Sequence, residues 1–247
     1  MPPPAAAPIE RPVPLVAVAH GSRDPRAAAT VEAVLDQVRQ ARPDLPVRVA
    51  YLDHCRPTLA EALAGLDEAV VLPLLLTEAY HSRVDIPSGL REIQAARPTL
   101  RVRQGGTLGP HPLMFAALER RLAEAGVPAG DPDTAVVLVS AGSSDPAANA
   151  TITAMAAEWA RTGWHSVTAA YASAADPTPE QAVQALLGAD PAGRPRRVAV
   201  ALYLLAPGHF ADKARRTALA AGAHTVTAPL GPTPELASIL LERYATT

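Results

Sequence analysis

A single cysteine, Cys55, occurs in 247 residues. That excludes an internal disulfide and fits a reducing compartment, so a cytoplasmic location is expected. Aromatic residues make up only 4% of a chain that is 49% hydrophobic, which leaves the core to Ala, Val and Leu. The formal charge of −2 offers no excess of one sign. No nucleic-acid partner and no anionic membrane partner are therefore expected. The longest apolar runs, 69–76 and 198–206, fall far short of the roughly 20 residues that span a bilayer. No G-x-G-x-x-G or P-loop pattern occurs, which counts against a nucleotide-binding module with phosphate on a helix N-terminus. The opening M-P-P-P-A-A-A-P-I-E-R-P lacks the basic start and apolar stretch of a signal peptide. Its prolines forbid regular structure, and residues 1–12 are expected to form a disordered tail.

What the chain does contain is a duplication. Residues 16–38 begin V-A-V-A-H-G-S-R-D-P-R-A-A-A, and residues 137–159 begin V-L-V-S-A-G-S-S-D-P-A-A-N-A. Apolar strand, Gly-Ser turn and Asp-Pro recur in register, with His20 answered by Ala141. Tyr51 with Pro57-Thr58 is matched by Tyr171 with Pro177-Thr178, and L-G-P-x-P recurs at 108–112 and 230–234. The segment L-L-L-T-E-A-Y-H-S (74–82) faces Y-L-L-A-P-G-H-F (203–210), setting His81 opposite His209 after a short insertion. A near-constant offset over most of the chain indicates two tandem repeats.

Periodicity alternates strand and helix in each half. Strands are expected at 14–19, 47–52, 69–76, 101–103, 135–140, 166–171, 197–205 and 224–228. Helices are expected at 25–41, 58–66, 86–96, 111–125, 146–161, 178–187, 209–221 and 233–244. Runs such as V-V-L-P-L-L-L are apolar on both faces, as in a parallel sheet covered by helices. Pro73 donates no ladder hydrogen bond, so a bulge or a strand start is expected there. The fold class is thus α/β, with two tandem three-layer domains, each built on a four-stranded parallel sheet. The expected divisions are 13–125 for the first domain, 126–133 for a linker rich in turn formers, and 134–247 for the second. The first repeat holds a full set of strands and helices, so a chain ending near Gly130 is expected to keep its secondary structure.

In open parallel sheets, sites form at the carboxyl ends of the strands. His20 ends the first strand, Asp53 ends the second and His81 follows the third, so three possible metal ligands converge on one rim. Imidazole with carboxylate suits a first-row divalent ion. A lone His in such a turn is more often a satisfied polar residue, but a second imidazole at the equivalent strand end favours function. Gly21-Ser22 and Asp24-Pro25 recur in the second repeat without the histidine, so turn and capping chemistry accounts for those four. His54 stands beside Asp53 and remains an alternative third ligand.

The segments V-A-H-G-S-R-D-P, L-L-L-T-E-A-Y-H-S-R-V-D-I-P (74–87), Y-L-D-H-C-R-P-T-L (51–59) and L-G-P-H-P (108–112) resemble the class II tetrapyrrole chelatases of the sirohydrochlorin chelatase type. The second half resembles the degenerate second domain of the long, fused members. The resemblance implies a chelatase-like (flavodoxin-like) fold. It also implies a lyase-type activity that inserts Fe2+ for sirohaem, or Co2+ for cobalamin, into a sirohydrochlorin-like tetrapyrrole held between the domains. The metal would be a substrate, with no tightly bound cofactor and with the chain a monomer. It maps the catalytic pair onto His20 and His81, with Asp53 as third metal ligand where many such proteins carry Glu. Ser22, Arg23, Ser82, Arg83, His209 and Lys213 would contact the substrate, whose carboxylates call for cationic partners. Arg215 and Arg216, beside Lys213, could belong either to that wall or to a solvated helix face. The alternative from another class is a divalent-metal binding or delivery protein without insertion activity.

Overall fold

The computed structural model describes residues 12–78, 84–190 and 194–247. The expected tail therefore lies almost wholly outside the described residues, as do His81, Ser82 and Arg83. The first half runs β1 (Leu15–Ala19), α1 (Pro25–Ala41), β2 (Val47–Tyr51), α2 (Leu59–Ala62), β3 (Glu68–Pro73), α3 (Ile86–Ala96), β4 (Arg101–Gln104) and α4 (Leu113–Glu124). The second repeats the order: β5 (Thr134–Ser140), α5 (Pro146–Trp159), β6 (Ser166–Tyr171), α6 (Pro179–Leu187), β7 (Arg197–Leu202), α7 (His209–Ala220), β8 (Thr225–Val226) and α8 (Pro234–Ala245). Two four-stranded parallel sheets result, ordered β2-β1-β3-β4 and β6-β5-β7-β8.

The same local chemistry starts the paired helices. Asp24 caps α1 by accepting from the Arg26 N–H, and Asp145 caps α5 by accepting from the Ala147 N–H; Pro25 and Pro146 follow as first helical residues. Thr58 with Glu61 forms a capping box on α2, and Thr178 with Gln181 does so on α6.

Both sheets are buried on both faces, which explains why their central strands are unbroken apolar runs. On the first sheet, Val16, Val18, Ala50 and Val71 face α2 and α3, while Leu15, Ala17, Val49 and Val70 face inward. On the second, Val137, Val139, Val198 and Val200 face α6 and α7, while Val136, Leu138, Ala199 and Ala201 face inward. The two inward faces share one core through α1, α4, α5 and α8, and fully buried Trp159 stacks on Phe115 across it.

The last helix of each half leans on the sheet of the other. α4 packs against β7, and α8 packs against β3 and α1. Arg120 pairs with Glu235, Arg121 donates to the Leu230 carbonyl, and the Tyr244 hydroxyl donates to the Val13 carbonyl. Each half thus has its own strands but borrows a helix.

Three expected strands are clearly shorter than the sequence pattern, β8 keeping only Thr225–Val226 of 224–228. β3 ends at Pro73, so the proline neither starts nor bulges the strand. β7 likewise ends at Leu202, not at 205. The apolar residues beyond each end, Leu74–Leu76 and Tyr203–Leu205, stay hydrophobic because they line the space between the halves. α2 holds only 59–62 of the expected 58–66.

Candidate functional site

Strand order reverses at β1, which pairs with β2 on one side and β3 on the other. A crevice opens at such a point because the connections leave in opposite directions. β5 sits equivalently in the second sheet. The two crevices face each other and merge into one cleft of about 540 Å³, within the ~300–1,000 Å³ typical of small-molecule sites. Its walls are the turn after β1 with the start of α1, the turn after β5 with the start of α5, and the segments following β3 and β7.

His20 lies exposed on that wall, immediately beyond β1. Its backbone is held as an extension of the sheet, the Asp53 N–H donating to the His20 carbonyl at 3.0 Å. Gly21 makes the turn possible. Its φ is +91°, and a Cβ there would stand 1.8 Å from the Asp53 carbonyl oxygen. Gly142 repeats this at φ +84°, 1.9 Å from the Ser173 oxygen. The turn is thus the same in both halves, with His20 on one wall and Ala141 on the other.

The other residues singled out in the sequence fall into distinct places. Ser22 lines the cleft, its hydroxyl accepting from the Asp24 N–H as Ser143 does from Asp145. Arg23 is exposed and does not line the cleft. Asp53 is brought to His20 in a second hollow of about 450 Å³ that also takes in Asp85 and Glu92. One Asp53 carboxylate oxygen accepts from the His54 N–H at 2.8 Å and the other meets His54 Nε2 at 3.2 Å. Among the described residues, no group of three or more His, Cys, Asp or Glu is placed to hold a metal ion.

Lys213 and Arg215 of α7 do not line the cleft; Lys213 donates to the Ala172 carbonyl and Arg215 to the Val226 carbonyl, both within their own half. His209 opens α7 exposed, edge-on to Phe210, and does not line the cleft. Helical position alone did not show which way that face turns. No Lys or Arg side chain lines the cleft among the described residues; its polar groups are the His20 imidazole, hydroxyls, the Asn149 amide and backbone.

Tyr203 was missed in the sequence. Its fully buried ring crosses from the end of β7, and its hydroxyl donates to the Leu76 carbonyl at 2.9 Å, tying the two walls together. Burial pushes its phenol well above the ordinary range. Gly109 leaves the room: a Cβ there would meet the Tyr203 oxygen at 2.2 Å. The sequence signal was the Tyr at the position of Leu74 in the first repeat.

The CbiX family model matches residues 14–125 and again 135–247. The chain is 28% identical over 178 residues to a sirohydrochlorin cobaltochelatase of Priestia megaterium, covering 69% of this chain and 58% of that protein. It is 30% identical over 145 residues to a sirohydrochlorin ferrochelatase of Bacillus subtilis strain 168, covering 56% and 54%. The chain thus spans somewhat over half the length of these curated relatives. Among solved structures, SirB from Bacillus subtilis with Fe3+ superposes with a TM-score of 0.80 at 23% identity, covering 95% of this chain and 94% of that one. SirB of the subspecies spizizenii in complex with cobalt gives 0.76 at 20%, with the same coverage. These likenesses establish a shared fold, and with the double match along its length the chain belongs to the CbiX family.

Proposed function

We propose that the chain is a sirohydrochlorin chelatase, inserting Fe2+ or Co2+ into the macrocycle held in the cleft between the two sheets. The observation that carries this reading is the one-sided placement of His20 in that cleft, with Ala141 at the matching position opposite. The slot is mostly apolar, as a flat ring requires, and an imidazole stands at one wall.

Insertion releases two pyrrole N–H protons as one divalent ion enters. Imidazole, with an ordinary pKa of about 6.5, can coordinate the ion and can take up a proton near neutral pH. His20 serves both roles, with His81 as its partner; His81 enters from the sequence alone, since it lies outside the described residues. Asp53, in the hollow on the other side of His20, is the third group on the metal side. A site of this openness holds an ion weakly, which transfer demands, because four closed ligands would retain it. The relatives named above, a cobaltochelatase and a ferrochelatase, support the reaction class and leave both metals in play.

The competing reading is a metal-delivery protein. Incubating the chain with excess sirohydrochlorin and Co2+, and following the absorption of the macrocycle, separates the two. A chelatase converts many equivalents per chain faster than the uncatalysed reaction. Conversion limited to one equivalent, or no faster than without protein, favours delivery.

A further inference from the structure

A tetrapyrrole that carries carboxylates meets a cleft whose described lining has no Lys or Arg. A cation stands beside its wall. Arg26 is the second residue of α1, directly before Ala27 and Ala28 of the cleft wall. Its Nη2 lies 2.6 Å from Asp24 Oδ2 and 2.6 Å from Asp212 Oδ2. Asp24 belongs to the same turn, whereas Asp212 is on α7 of the other half, so one guanidinium joins the two rims. The second repeat has Ala147 at this position, so this guanidinium has no equivalent in the other half.

We propose that Arg26 is a substrate-binding residue that exchanges the Asp212 carboxylate for a carboxylate of the entering tetrapyrrole, while Asp24 keeps the guanidinium in place. The inference rests on the tetrapyrrole reading of the cleft. Arg26 and Asp212 are both about half exposed, at 53% and 52%. Exposed ion pairs of this kind contribute little, so giving up the Asp212 carboxylate costs less than a charge-assisted bond to an entering carboxylate returns. Asp24 engages both Nε and Nη2, which fixes the plane of the fork in either state. A pre-oriented guanidinium loses less freedom when it takes a carboxylate partner. Asp212 in this account is a stand-in for the substrate, holding the rim closed until displaced.

The test is an absorption or fluorescence titration of metal-free sirohydrochlorin into the full chain and its variants. Arg26→Ala is expected to raise Kd about tenfold, the loss of one charge-assisted contact. Asp212→Asn should lower Kd about threefold, because a competitor of modest strength is removed. Arg26→Ala with Asp212→Asn should show no such gain. Unchanged or weaker binding by Asp212→Asn would overturn the inference and leave the pair a simple strut, as would unchanged binding by Arg26→Ala. Failure of the unaltered chain to bind the macrocycle is a separate outcome, which sinks the chelatase reading and this inference with it.

Discussion

Gly21→Ala and Gly142→Ala form a matched pair of perturbations, because the same turn occurs with and without the histidine. In each, an L-residue would occupy a left-handed φ, +91° or +84°, at about 1–2 kcal/mol. Each added Cβ would also meet a backbone carbonyl oxygen, 1.8 Å away at Gly21 and 1.9 Å at Gly142, just beyond the end of β2 or β6. Relieving such overpacking costs about 1–3 kcal/mol more. Both variants should therefore lose about 2–5 kcal/mol, a fall of roughly 4–20 °C in Tm for a chain of this size. Their effects on chemistry should differ. Moving the turn at Gly21 displaces His20, so kcat for insertion should drop well below the unaltered rate at a temperature where the protein is folded. Moving the turn at Gly142 displaces Ala141 and should act mainly on KM for the macrocycle. Differential scanning calorimetry and initial insertion rates measure both. Equal losses of kcat in the two variants, or no loss of Tm in either, would refute the reasoning.

Trp159→Ala removes a fully buried ring from the core common to both halves. It should cost about 3–5 kcal/mol and lower a single unfolding transition; two separate transitions would show that the core is not continuous. A chain ending at Gly130 lacks α8, which packs on β3 and α1, and its own α4 loses the partner sheet. It should appear as a dimer exchanging α4 in light scattering, and a stable folded monomer would contradict the helix exchange. The Arg56 guanidinium, aided by the Thr58 N–H, holds the Glu61 carboxyl down to about 2. A depressed folded pKa adds stability above the ordinary 4.5, and that stability is lost as pH falls toward 2. Glu61→Gln keeps the capping box, as Gln181 does in α6, and should flatten the acid limb of stability in denaturant titrations; an unchanged limb would argue against the pairing.

The repeat was legible because capping and turn residues recur in register: Gly-Ser, Asp-Pro and Pro-Thr, whose Thr58 and Thr178 cap α2 and α6. Those residues act locally, so sequence alone reports them. Strand ends were less legible, since Leu74–Leu76 and Tyr203–Leu205 are apolar to line the cleft and not to pair in a ladder. The exchange of α4 and α8 left no mark at all, because an amphipathic stripe says that a helix packs, not which sheet it packs on. For the site, strand-end logic placed His20 and Asp53 at neighbouring hollows. The sequence could not show that Lys213 of α7 turns to a carbonyl of its own half, nor that Arg26 pairs with Asp212, 186 residues away.

The most direct measurement is the initial rate of Co2+ insertion into sirohydrochlorin by His20→Ala beside the unaltered chain, with Tm recorded for both. Ala141 occupies the equivalent turn in the second half, so the variant should fold with Tm within a few degrees. Loss of a group proposed both to hold the ion and to accept a proton should slow insertion at least about 100-fold. Insertion at the unaltered rate by a folded His20→Ala would contradict the account.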